Sequence, residues 1–177
     1  MEIVYYVACS VDGYIATQDG GVGWLAPFEA GEEDYGYQEF YSSIDALLIG
    51  SHTYEFALSQ GSWMAADRSS WVFTRRSLPV AHPSITLTAE DPEQVVEEMK
   101  VRGLKRAWLL GGGELAASFR TRGLISRYMI AVVPTVLGQG IPLLAPASGA
   151  DDLELIAMKS YSNGIVQLTY EPSSEEA

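Results

Sequence analysis

Three consecutive glycines, Gly111-Gly112-Gly113, stand between a short apolar run, Ala107 to Leu110, and a segment in which Leu115, Ala116 and Phe119 share one helical face. A strand that passes through glycine straight into a helix is a building unit of α/β domains, in which helices cover the faces of a sheet. Glycines at that junction let the backbone approach an anion closely and turn its N–H groups toward it. Two readings are open. Residues 111, 113 and 116 satisfy the G-x-G-x-x-A pattern of a dinucleotide-binding turn, yet about 20 residues on lies Ala131-Val132-Val133 in place of a ribose-binding acid. Close packing of helix on strand would use the same glycines.

The rest of the chain follows the same alternation. Ile3 to Cys9 is an apolar, β-rich run ending in a turn at Asp12-Gly13. From Asp34 the period changes, with Tyr37, Phe40, Tyr41 and Ile44 on one helical face. Asp45 to Gly50 reads as a second buried strand with a helix after Ser51, and Trp71 to Thr74 and Ile85 to Leu87 as two more strands. Asp91-Pro92-Glu93-Gln94 has the N-cap, first-turn proline and reach-back glutamine of a helix start, and Gly103 is its natural stop. Tyr128 to Val136 is a long strand, and Leu153 to Tyr161 with Ile165 to Tyr170 forms a hairpin about Asn163-Gly164. This pattern predicts one α/β domain over residues 1–171, with a mostly parallel central sheet, an antiparallel C-terminal hairpin and a frayed tail over 172–177.

Charge narrows the function. All 11 Lys and Arg residues fall from Arg68 onward, whereas residues 1–67 carry acids and no basic side chain, and the net charge is -12. Such a chain repels a nucleic-acid backbone. A small phosphorylated ligand would have to find its cations from Arg68 onward. Cys9 is the only cysteine and His52 and His82 the only histidines, so no zinc or iron–sulfur ligand set is expected. No apolar run reaches the roughly 20 residues of a membrane span, and Met1-Glu2-Ile3 lacks a basic leader, so a cytoplasmic protein without a membrane partner is expected. P-loop and G-x-S-x-G motifs are both missing.

Two further groups carry chemistry. Thr74-Arg75-Arg76 closes the third strand, where paired guanidinium groups at a strand's carboxyl end suit a phosphate, or else form a solvated surface pair. Asp34 opens the aromatic helical face, either as a charge favourable to the helix start or as a proton donor in an apolar cleft.

Taken together these segments resemble the dihydrofolate reductase superfamily, in the branch containing the reductase domain of riboflavin-biosynthesis deaminase-reductases and its stand-alone bacterial relatives. The matching blocks are Ser10 to Ala16, Asp34 to Tyr37 with Glu39-Phe40, Ile44 to Glu55, Val72 to Arg75, Leu109 to Glu114 and Val133 to Leu143, in the family's order. The resemblance implies a three-layer fold of the dihydrofolate reductase type and hydride transfer from NADPH. It implies that the nicotinamide carboxamide lies against the backbone of Ala8 and Ile15. The pyrophosphate would lie at Gly50, Ser51 and Thr53 and at Gly111, Gly112, Gly113, Glu114 and Leu115, and the adenosine 2′-phosphate at Thr74, Arg75 and Arg76. Two departures from the pattern stand out: Ser51 stands where many members carry arginine, and Ser126-Arg127 where the riboflavin-type relatives have Asp-Glu.

By the same resemblance Asp34 falls in the register of the folate reductases' proton-relay acid, and its hydroxyl-bearing strand partner there becomes Ile130 here. The implied activity is an NADPH-dependent reduction of a small heteroaromatic or imine-like substrate, a pyrimidine of the riboflavin-precursor type or a pteridine, held between Trp24, Asp34 and Ile130. The alternative is a non-catalytic NADP(H)-binding module that keeps the fold. A homodimer is expected from the apolar strand and hairpin near the C-terminus.

Overall fold

The apolar runs pair side by side because each is hydrophobic on both faces, and only a sheet covered by helices on both sides buries such strands completely. The computed structural model describes residues 1–173 except 30, 32 and 62. Its elements are β1 (Glu2–Ser10), β2 (Tyr14–Ala16), α1 (Ala26–Glu29), α2 (Tyr37–Ser42), β3 (Ala46–Gly50), α3 (Ser51–Ser59), β4 (Ser69–Phe73), β5 (Ile85–Thr88), α4 (Pro92–Val101), β6 (Arg106–Gly111), α5 (Gly113–Arg120), β7 (Arg127–Val133), β8 (Ile141–Pro142), β9 (Leu153–Ser160) and β10 (Val166–Pro172). A single turn of 3-10 helix, Gly23–Leu25, precedes α1.

Eight strands form one sheet in the order β5-β4-β3-β6-β1-β7-β10-β9. The first six are mutually parallel, and β10 runs antiparallel to both β7 and β9. The mostly parallel sheet with an antiparallel hairpin at one edge is therefore as the sequence predicts. β2 and β8 make a separate two-stranded antiparallel pair that the sequence reading does not contain.

On one face Ile3, Tyr5, Leu48 and Leu109 pack against Val95, Val96 and Met99 of α4 and Ala116 and Phe119 of α5. On the other, Val4, Leu47, Ile49 and Trp108 pack against Phe40 of α2 and Tyr54 of α3. Adjacent residues of β3 thus serve opposite cores. α4 starts as expected, with Pro92 in the first turn and the Asp91 N–H donating to Gln94 Oε1 at 3.3 Å, a cap of about 1 kcal/mol. The hairpin closes through the Gly164 N–H on the Tyr161 carbonyl at 3.0 Å, and the φ of 90° at residue 164 demands glycine.

Two segments differ from expectation. β7 ends at Val133 and not at Val136, because Pro134 has no N–H for the ladder and the Thr135 N–H turns back onto the Val133 carbonyl at 2.7 Å. At the C-terminus, Pro172 is still paired with Leu153 and the Ser173 N–H donates to the Asp152 carbonyl, while 174–177 lie outside the described residues. None of the described helices is long and apolar enough to cross a membrane.

Candidate active site

The parallel strands β1, β3, β6 and β7 open at their carboxyl ends into one cleft of about 1550 Å³. That exceeds the roughly 300–1,000 Å³ typical of a pocket for one small molecule, so there is room for a large ligand and a second one beside it.

The floor is made of glycine because backbones meet there. A Cβ on Gly50 would lie 3.4 Å from the Gly111 carbonyl oxygen, and one on Gly112 would lie 3.5 Å from Thr53 Oγ1. A Cβ on Gly113 would collide with the Pro142 oxygen at 2.3 Å. This close approach brings together the N-termini of α3 and α5, whose first-turn N–H groups have no partner within their helices. Gly50, Ser51, Thr53, Gly112, Gly113, Glu114 and Leu115 all line the cleft, as do Ala8 and Ile15. Gly111 is buried beneath it.

Beyond Phe73, which lines one end, the chain turns through Thr74-Arg75-Arg76. The Thr74 hydroxyl accepts the Arg76 N–H at 2.9 Å and fixes that turn. Arg76 reaches back to the cleft by a two-point bond to Glu55 of α3, at 3.1 and 2.5 Å, and this bond holds the Glu55 carboxyl below the usual carboxylate range. Arg75 is exposed, and among the described residues no carboxylate pairs with it. The three residues lie at the rim and do not line the cavity.

The opposite end is aromatic. Tyr6, Phe28, Tyr35, Tyr37 and Trp108 line it. Burial pushes the Tyr6 phenol up to about 12, so it stays protonated and remains a donor. None of these five was singled out as a site residue from the sequence; the available signal was the pairing of Tyr6 with Ala8 on one face of β1.

Asp34 lines this end and is exposed. Its Oδ1 accepts the Gly36 N–H at 3.0 Å and its Oδ2 the Gln38 N–H at 3.4 Å, which caps the start of α2. Ala8 pairs with Ala131, and these two line the cleft. Ile130 pairs with Val7 and packs into the core beneath α4 and α5, so on β7 it is Ala131 and Val133, and not Ile130, that present their side chains toward Asp34's side of the sheet. Trp24 packs on the cluster of Ala131, Val133, Tyr161 and Ile165 and does not line the cleft, whereas its neighbours Leu25 and Phe28 do. Ser126 and Arg127 lie at the other end of β7. There the Ser126 hydroxyl accepts the Ile3 N–H at 3.2 Å, and Arg127 pairs with Glu2 at 3.2 Å and with Glu171.

A six-stranded parallel region, an antiparallel hairpin at its edge and a cleft across the strand ends define an α/β protein of the dihydrofolate reductase fold. The model of the RibD C-terminal domain matches residues 58–167, and the chain belongs to that family. It is 34% identical over 170 residues to the uncharacterized protein YwjB of Bacillus subtilis (strain 168), covering 96% of this chain and 97% of that one. It is 26% identical over 181 residues to YyaP of the same organism, covering 96% and 94%. Among solved structures, a putative riboflavin biosynthesis protein from Shewanella sp. PV-4 superposes with a TM-score of 0.89 at 22% identity, over 98% of this chain and 100% of that one. A pyrimidine reductase-like protein from Corynebacterium diphtheriae superposes with a TM-score of 0.77 at 14% identity, over 98% and 92%. At these identities the two superpositions establish the fold.

Proposed function

We propose that this chain is an NADPH-dependent reductase of a small heteroaromatic or imine-like compound, working as a cytoplasmic homodimer. The observation that carries the reading is a single cleft, large enough for two ligands, with two helix N-termini at its floor and an arginine-bearing turn at one rim.

The donor set fits the cofactor. First-turn N–H groups of α3 and α5 would hold the pyrophosphate, aided by Thr53 Oγ1. Arg75 would take the 2′-phosphate, with Arg76 held nearby by Glu55. The backbone of Ala8 and Ile15 would carry the nicotinamide end. When bound, NADPH supplies the hydride. The protein's own contribution is to stack a planar substrate among Tyr6, Phe28 and Trp108, to exclude water there, and to hold a proton source at Asp34 or at a water on its carboxylate.

A homodimer is supported by β9, whose Leu153, Leu155, Ile156 and Met158 are all exposed on the outermost strand of the sheet, Met158 by 67%. An apolar open edge of this kind is a surface that soluble proteins cover.

Oxidation of NADPH by the purified protein, followed against pterins, aminopyrimidines and other C=N and C=O compounds, tests the reading. Substrate-dependent oxidation supports it. Binding of NADPH without oxidation across the panel would favour the non-catalytic module, the reading to which Ser51 and the capping bonds of Asp34 lend support. Absence of NADPH binding would remove both.

A further inference from the structure

We infer that the substrate of this cleft bears no phosphate and is uncharged or cationic, an inference that rests on the reductase reading and specifies its substrate. Among the described residues, six carboxylates line the cleft: Asp19, Glu29, Glu33, Asp34, Glu55 and Glu114. No lysine or arginine does, and the residues outside the described set include none.

Five of the basic side chains are engaged elsewhere. Arg106 and Arg127 pair with Glu2 at the amino ends of the strands, Arg120 pairs with Asp151, and Arg122 with Asp91 and Glu93. Lys159 lies 4.6 Å over the Tyr161 ring on the hairpin and does not line the cleft. The groups that welcome an anion among the described residues, the N-termini of α3 and α5 and Arg75, lie at the cofactor end.

The aromatic end is arranged the opposite way. Glu29, Glu33 and Asp34 stand there, and the start of α2 has its Gly36 and Gln38 N–H groups already taken by the Asp34 carboxylate. A phosphate monoester, with a charge of about -1.5 to -2, would meet three like charges and no unclaimed donor array. A neutral ring would stack on the aromatic walls, and a protonated one would gain both the ring faces and the acidic field. The sequence asymmetry noted above has the same consequence: α1, α2 and the segment joining them come from residues 1–67, which contain no lysine or arginine.

The test uses the full chain saturated with NADP⁺ and two ligands that differ by one group, 5-amino-6-(5-phosphoribosylamino)uracil and its dephosphorylated form. Neutral pterin and cationic 2,4-diaminopyrimidine extend the series, with calorimetry as the readout. The dephosphorylated ligand is expected to bind at least about tenfold more tightly, and raising the salt from about 20 to about 300 mM should narrow the gap. Glu29→Lys/Glu33→Lys, two exposed positions, should improve binding of the phosphorylated ligand by about tenfold or more. Equal or tighter binding of the phosphorylated ligand to the unaltered protein would overturn the inference. So would failure of every neutral and cationic heterocycle to bind. Failure of the reductase reading is seen separately, as loss of NADPH binding in a titration with no heterocycle present.

Discussion

The Asn163 side-chain amide donates to the Tyr35 hydroxyl at 2.5 Å, joining the tip of the β9–β10 hairpin to the wall of the cleft across 128 residues. The same hydroxyl donates to the Phe28 carbonyl at 2.6 Å, and the Tyr35 ring meets Tyr161 edge-on at 4.9 Å. Tyr35 has a φ of 55°, a left-handed conformation that costs a non-glycine residue on the order of 1 kcal/mol, and these three contacts hold it there. The hairpin thus sets the position of the residue next to Asp34.

Tyr35→Phe keeps the ring contact and removes both hydrogen bonds. It should lower unfolding stability by about 1–2 kcal/mol in urea titrations. KM for a substrate should rise severalfold while the Kd for NADPH stays unchanged, since the cofactor floor is built from other elements. An unchanged KM would show that the hairpin does not position the wall.

Asp34→Asn retains an oxygen for the cap, and asparagine caps about as well as aspartate. If Asp34 holds the proton source, turnover should fall by about 10²-fold or more with NADPH affinity intact. Glu33→Gln, one residue away on the same rim, should change little. Equal turnover in Asp34→Asn and the parent would reduce Asp34 to its capping role.

Much of this arrangement was legible in the residues. The strand–glycine–helix unit at 107–119 and the strand and helix around Gly50 lie where their patterns place them, because local signals there agree with burial on both sheet faces. The β2–β8 pair was not legible: two and three residues carry no period, and the pairing depends on contacts such as Gly140, where a Cβ would strike the Ala16 oxygen at 2.2 Å. On β7 the choice between Ile130 and Ala131 turns on which face of the strand looks at the cleft, and a one-residue shift exchanges the faces. Periodicity does not determine that choice for a strand apolar on both sides. Nor does sequence show that Glu55 claims Arg76, a contact between residues 21 apart.

Cys9 is buried on β1, and burial together with the nearby Asp12 charge raises its thiol from 9.0 to about 11. The unfolded chain therefore loses this proton first. Its contribution to stability is complete below about pH 9 and lost as pH rises toward 11. Cys9→Ala should flatten that part of the stability profile. In the folded parent, thiol labelling at pH 8 should be slow, becoming stoichiometric in denaturant; rapid labelling of the native protein would contradict the burial of this strand.

Light scattering at micromolar concentration should return twice the chain mass. Leu155→Glu/Met158→Glu, which charges the exposed edge, should return the mass of one chain with an unchanged circular dichroism spectrum. A dimer that survives both substitutions would place the interface elsewhere.

The central claim is that the cleft holds NADPH, and Trp108 in its lining provides the most direct readout through quenching of tryptophan emission and energy transfer to the reduced nicotinamide. Titration should give saturable binding of NADPH and weaker binding of NADH. Arg75→Ala should lower NADPH affinity by about tenfold or more while barely affecting NADH. Arg76→Ala should cost less, because Glu55 already occupies that guanidinium. Absence of saturable quenching by either cofactor, or equal loss of both in Arg75→Ala, would contradict the assignment.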